Sequence, residues 1–237
     1  MDAAFTHSLD DAKLNEIPAE NEGLRSRKAR LLTQHGYEAD YTDIRYFCKA
    51  CSDTGYIGVN MCTCMREELI KAGIESAGLN SLVKTQSFET FSLDYYENKE
   101  EMGELLAYAK NYVDDFDKIK DNVLFVGGTG LGKTHLSTAI AGALIKKGYN
   151  VVYETAQNVF FDFENDRFLD RFGGDEPTAT KYLDCDLLII DDLGTEPVLK
   201  NVTKEYLYNL INVRQINNKP TFITTNLSLD DILARYD

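Results

Sequence analysis

Two stretches of this 237-residue chain carry residue types at spacings that suit chemistry. The first is GGTGLGKT at 127–134, which fits G-x-x-x-x-G-K-[ST] through Gly127, Gly132, Lys133 and Thr134. Glycines let a backbone turn tightly and aim successive N–H groups at phosphate oxygens, and a helix N-terminus adds partial positive charge at the same spot. Gly128, Thr129, Gly130, Leu131 and His135 complete the segment that would wrap a nucleotide. Lys133 supplies a point charge for the β- and γ-phosphates, and the Thr134 hydroxyl can ligate Mg2+. The plain alternative is a glycine-rich turn that binds nothing. The second stretch is CKACSDTGYIGVNMCTC at 48–64, which holds four of the five cysteines.

Cys48-x2-Cys51 and Cys62-x-Cys64 form two pairs separated by ten residues. Each pair can place two thiolates on one ion, and the intervening segment is long enough to return as a turn or hairpin, with Gly55 and Gly58 permitting the reversal. Four thiolates match the tetrahedral preference of Zn2+ in closed structural sites. The rival reading is a redox dithiol at Cys48 and Cys51. A catalytic zinc usually needs a histidine, and His35 is distant while His135 belongs to the phosphate-loop segment. Cys185, just ahead of an apolar run, reads as a core or strand-edge residue.

The phosphate loop needs carboxylates opposite it. LLIIDD at 187–192 reads as a buried strand that delivers two acids to its C-terminal end, the edge where ligands bind in open α/β sheets. Asp191 is expected to hold Mg2+, and Asp192 to orient or deprotonate the attacking water. FITTN at 222–226 ends another apolar run, and Asn226 could bond that water or the γ-phosphate. Its alternative is a satisfied turn residue ahead of a helix capped by Ser228. Lys133, Asp192 and Asn226 are thus the catalytic candidates. Glu196 and Arg214 are further polar candidates, for which structural ion pairs serve as well.

The elements that must position these residues alternate in an α/β pattern. Apolar runs at 123–126, 151–153, 187–190 and 221–225 are continuous, as in strands buried on both faces. Helical stretches at 133–147, 155–171 and 202–217 separate them, and another at 101–116 precedes them with Leu105, Leu106, Ala109 and Val113 on one face. Residues 80–100 read as a linker anchored by Phe88, Phe91 and Tyr95. Residues 1–45 read as mostly helical and polar with a stop at Gly36, and a helix leaves the last cysteine over 65–79. The expected domains are a front domain, 1–78, a linker, 79–100, and an ATPase domain, 101–237. A net charge of −14 disfavours coating duplex DNA by charge alone. With no apolar run near eighteen residues and no basic leader, the expectation is a cytoplasmic protein with no membrane association, where clustered cysteines mean metal or redox chemistry.

In order and spacing, FVGGTGLGKTHLSTAIAGAL, LLIIDDLGTE and ITTNLS resemble the AAA+ ATPases of the DnaC/DnaI helicase-loader and IstB transposition-helper group. SFETFSLDYY is similar to the segment before the engine in that group, and the cysteine stretch to the zinc-bearing front half of the DnaI-like members. The resemblance implies a P-loop domain with a five-stranded parallel sheet, behind a small helical zinc-binding domain that docks on a hexameric replicative helicase. It implies ATP and Mg2+ as ligands, self-association through the AAA+ domains, engagement of single-stranded DNA, and placement of the helicase ring on it. In IstB-like relatives the partner is a transposase, and those relatives typically lack the cysteine module. A nucleotide-gated adaptor without turnover is a third reading. Many AAA+ proteins carry Asp-Glu where this chain has Asp191-Asp192, and a shorter acid suits a switch better than a motor. The resemblance also implies an arginine-bearing segment after Asp237, matched by neither Arg214 nor Arg235; on that reading the chain is truncated and binds nucleotide without cooperative hydrolysis.

Overall fold

The computed structural model describes residues 11–172, 178–196 and 203–236. The helical reading of the first ten residues, and position 202, lie outside these. The chain divides into two compact units, Met1–Cys62 and Thr63–Asp237.

The first unit contains helix α1 (Asp11–Gln34) and a two-stranded antiparallel hairpin, β1 (Tyr56–Ile57) with β2 (Asn60–Met61). Helix α1 stops at the expected glycine: Gly36 takes a left-handed φ of 82°, and Tyr37 donates its N–H back to Leu32 O at 3.0 Å. The unit has almost no apolar core. Among the residues described between 17 and 62, only Cys51, Gly55 and Cys62 are buried, while Ile44, Phe47 and Val59 are exposed.

The second unit is built on a parallel sheet of β3 (Val123–Val126), β4 (Val151–Thr155), β5 (Leu187–Leu193) and β6 (Thr221–Thr225), in the order β3-β6-β5-β4. These are the four continuous apolar runs of the sequence. The expectation of five strands is corrected to four among the described residues. A strand covered on both faces needs its own apolar run, and the fifth was implied by resemblance alone. Strand β5 displays the period of two: Leu187 and Ile189 enter one core, Leu188 and Ile190 the other. The first core is closed by α2 (Thr63–Ser76), α3 (Lys99–Asp114) and α4 (Lys133–Lys147). The second is closed by α5 (Ala156–Phe172), α7 (Thr203–Ile216) and the short α6 (Thr180–Asp184), whose five residues are too few to reveal a helical period in the sequence. Helix α8 (Leu229–Tyr236) follows β6, and Ser228 caps it as expected, its Oγ accepting the Asp231 N–H at 3.1 Å.

Helix α4 carries buried residues on all sides, including Leu136, Ala139, Ile140 and Leu144, so it is a core helix rather than a surface one. Gly148, with φ 96°, ends it by donating its N–H to Ile145 O, and Lys146 and Lys147 complement the helix dipole there. The stretch between α2 and α3 packs on the first core through Leu79, Phe88, Phe91 and Tyr96. Tyr95, the expected third anchor, is 89% exposed. A short 3-10 turn, Leu93–Tyr95, swings it outward and leaves its neighbour Tyr96 to stack on Phe91.

Arg214 has a structural role of an unexpected kind. It is fully buried, yet it makes no salt bridge among the described residues. Its guanidinium donates instead to Tyr182 O at 2.7 Å, Cys185 O at 3.1 Å, Pro220 O at 2.7 Å and Thr221 Oγ1 at 3.0 Å, tying α6 to the start of β6. Burial holds its pKa below the usual arginine value, partly offset by Cys185. Arg214→Met removes the guanidinium donor from three buried carbonyl oxygens, at roughly 1 kcal/mol each. It is therefore expected to lower the unfolding free energy by about 3 kcal/mol in urea melts; a loss below about 1 kcal/mol would contradict this account.

Candidate nucleotide-binding site and metal centre

The strand order decides what meets at the sheet's C-terminal edge. The phosphate loop follows β3, the paired acids end β5, and β6 lies between those strands. Asn226, one residue beyond β6, therefore reaches both sides. Its Oδ1 accepts from Lys133 Nζ at 2.7 Å, and its Nδ2 donates to Asp192 Oδ1 at 2.7 Å. Lys133, Asn226 and Asp192, three residues far apart in sequence, form one continuous hydrogen-bonded chain. Lys133 Nζ also donates to Gly127 O at 2.7 Å and Gly128 O at 2.8 Å, holding the loop closed around its own ammonium.

Gly130 and Gly132 both take φ 82°, the left-handed conformation that aims loop N–H groups inward and that glycine adopts without strain. At Gly132 a Cβ would also run into the Tyr96 hydroxyl, which donates to Leu131 O at 3.3 Å. Gly132 then leads directly into the N-terminus of α4, so the loop and the helix dipole face one point. Beside the loop lies a cavity of about 440 Å³ walled by Tyr96, Met102, Leu105, Leu124, Val126 and Leu131. The His135 side chain turns away from the loop. Its Nε2 lies 3.0 Å from Ser87 O and 3.2 Å from Thr90 Oγ1, and its ring meets Phe91 edge-on, so it pins the stretch ahead of α3 to the phosphate-loop helix.

Thr134 Oγ1 lies 3.3 Å from both carboxylate oxygens of Asp191, which is buried. Consecutive strand residues normally face opposite sides of a sheet. Here the ladder pairs Ile190 with Ile223 and Leu193 with Thr225, so Asp191 and Asp192 together oppose Thr224 alone. This is a β-bulge. Asp192 takes φ 59°, unusual for a residue with a Cβ. The bulge lets Asp191 reach Thr134 on one side and Asp192 reach Asn226 on the other, with both at one edge. Tyr153, nearby on β4, contacts Ser137 Oγ at 3.3 Å; burial first, and then the Asp191 carboxylate, raise its phenol pKa, so it stays protonated. Glu196 is buried after β5. It accepts from Gly194 N at 2.8 Å and bonds Arg235 and the Tyr236 hydroxyl, so it holds α8 in place.

The sulfurs of Cys48, Cys51, Cys62 and Cys64 all lie within 4.8 Å of one another, with Cys48 and Cys62 at 3.8 Å. Bonds of about 2.3 Å to a tetrahedral ion give sulfur–sulfur edges of about 3.8 Å, far longer than the ~2.05 Å of a disulfide. The donor set therefore fits one tetrahedral ion. The intervening residues return as the hairpin β1–β2, and Cys62 N donates across it to Gly55 O at 2.8 Å. Asp53, in the left-handed region at φ 60°, accepts the N–H groups of Phe47 at 3.0 Å and Cys48 at 2.7 Å and so shapes the first cysteine turn. No sequence signal gave Asp53, Thr224 or Tyr153 a role: each acts on a neighbour through the fold, and Thr224, although inside FITTN, is marked there only as part of an apolar run.

No helix among the described residues is long and apolar enough to cross a membrane. A family model described as IstB-like ATP binding protein matches residues 81–236. The phage-like element PBSX protein XkdC of Bacillus subtilis (strain 168) is 28% identical over 227 residues, 89% of this chain and 82% of that protein. The replicative helicase loader DnaC of Escherichia coli (strain K12) is 26% identical over 156 residues, 66% of this chain; the match spans only 61% of DnaC. Among solved structures, the DnaC helicase loader aligns at 30% identity with a TM-score of 0.50, covering 63% of this chain and 88% of that one. DnaI aligns at 20% identity with a TM-score of 0.52, covering 66% and 77%, a likeness of fold. The α/β AAA+ class thus holds, and, with the family pattern running through the phosphate loop, the paired acids and Asn226, the chain belongs to the IstB-like ATP-binding proteins.

Proposed function

We propose that the protein is an Mg2+-dependent ATPase that uses nucleotide binding and hydrolysis to place a hexameric replicative helicase on single-stranded DNA. The observation that carries the ATPase reading is the chain Lys133–Asn226–Asp192 beside the Thr134–Asp191 pair. Loop amides from Gly127 to Thr134 and the Lys133 ammonium hold the phosphates, and the cavity walled by Tyr96, Met102 and Leu131 takes the base. Thr134 and Asp191 would hold Mg2+, whose charge offsets that developing on the phosphates. Asp192 orients the attacking water and accepts its proton, while Asn226 joins that acid to the lysine and so reports which phosphates are present.

The helicase-loading half rests on the DnaC relatives, which bear that role in their names. The four-cysteine module supports it too: with Zn2+ bound, it gives the front unit a rigid shape from which Ile44, Phe47 and Val59 can meet a partner. The XkdC match, covering 89% of the chain, necessarily spans this region. The protein is expected to self-associate through its ATPase domains while loaded. The test mixes it with the host's hexameric helicase and protein-coated circular single-stranded DNA. ATP-dependent appearance of helicase on the circle is expected, and its absence with Asp192→Asn, despite retained ATP binding, would place hydrolysis in the cycle. Failure to bind the helicase, or ATP-dependent stimulation of a transposase instead, overturns the loading role.

A further inference from the structure

One buried hydroxyl joins the two acids. Thr224, on β6, is 1% exposed. Its Oγ1 donates to Asp191 Oδ1 at 2.5 Å and accepts the Asp192 N–H at 2.9 Å. A hydroxyl has one proton to give and lone pairs to receive, and this one uses both functions on consecutive residues of the neighbouring strand. It does so opposite the bulge, where two residues of β5 face one of β6. There the ladder is locally interrupted, and the Thr224 side chain supplies the partner for the Asp192 N–H. It thereby secures the left-handed backbone at Asp192, with φ 59°, and at the same time sets the rotation of the Asp191 carboxylate opposite Thr134.

We infer that Thr224 is the positioning residue of the metal-holding acid, a side chain that touches neither nucleotide nor metal but orients Asp191 for Mg2+ and holds the bulge that presents Asp192. The inference deepens the Mg2+-ATPase reading and rests on it. Groups that orient a metal-ligating side chain typically change metal affinity by about 10- to 100-fold when removed. Valine matches threonine in shape and lacks the hydroxyl. In Thr224→Val the Asp192 N–H loses this acceptor, and Asp191 loses its shortest hydrogen bond, keeping the longer contact with Thr134 and the neighbouring Tyr153 hydroxyl.

The test titrates Mg2+ into the full chain with a fluorescent ATP analogue, for the parent, Thr224→Val and Thr224→Ser. Thr224→Val is expected to need about 10- to 100-fold more Mg2+ to reach half-maximal tightening of nucleotide binding. Its affinity in EDTA is expected to equal the parent's, and Thr224→Ser to stay within about 3-fold of the parent, because it keeps the hydroxyl. If the valine variant does not fold, as its EDTA affinity and melting curve reveal, Thr224→Cys replaces it and is expected to fall between valine and serine. A parental Mg2+ midpoint in Thr224→Val, or in the cysteine variant used in its place, overturns the inference while leaving the ATPase reading intact. A parent whose nucleotide binding ignores Mg2+ removes the metal reading, and the role of Thr224 with it.

Discussion

Lys133→Ala is expected to weaken ATP binding by at least about 30-fold, since losing one partner of a close charge pair costs about 2–5 kcal/mol. In this fold the Lys133 ammonium has three neutral acceptors, two loop carbonyls and Asn226 Oδ1. A triphosphate offers charged oxygens in their place, and charge-assisted hydrogen bonds are roughly twice as strong as neutral ones. Alanine forfeits that exchange. The fold should not suffer, because Lys133 is only partly buried and Asn226 is exposed, so water can satisfy the acceptors it leaves. The expected signature is thus specific: a melting curve without nucleotide within about 0.5 kcal/mol of the parent, and a much smaller thermal shift than the parent's on adding ATP. Parental affinity measured with a labelled analogue would show that the phosphate loop does not grip nucleotide through this lysine.

Stripping the four-cysteine cluster of its metal is expected to unfold the front unit. A structural Zn2+ contributes an apparent ~10–16 kcal/mol at neutral pH, and between residues 17 and 62 nothing else is buried to compensate: only Cys51, Gly55 and Cys62 are shielded from solvent. Four sulfurs all within 4.8 Å of one another also favour one closed ion over a redox pair, in which two would have to approach to about 2.05 Å. The purified chain should carry one zinc per molecule, released by a strong chelator or by mercury titration. On release, proteolysis should cut between residues 37 and 62 first, while nucleotide binding by the second unit persists. Cys62→Ser should reproduce this, since that residue is the most buried of the four. A chain that holds no zinc, or whose front unit resists proteolysis equally with and without chelator, would make the cluster something other than a metal staple.

Much of the site was legible because its parts are local. The phosphate loop works through its own backbone, so its glycines and Lys133 announce it in eight consecutive residues. The four strands were legible because each is buried on both faces and must be apolar throughout. What escaped is relational. The bulge at Asp191 and Asp192 is a mismatch between two strands 32 residues apart, and neither strand alone records it. Arg214 looks like a surface charge near the end of a helix, and only the convergence of Tyr182, Cys185 and Pro220 carbonyls makes its burial possible. Tyr95 and Tyr96 are adjacent and identical in type, so composition could not choose between them; the 3-10 turn that ends at Tyr95 did.

Nucleotide grip and nucleotide turnover are separable by length as well as by side chain. Deleting Asp192 would restore one-to-one pairing from Leu188 to Leu193, leaving the sheet regular and Asp191 opposite Thr224, but no second carboxylate would remain to meet Asn226. On the ATPase reading proposed above, a single codon lost there would turn a timer into a clamp that closes on ATP and does not reopen by hydrolysis.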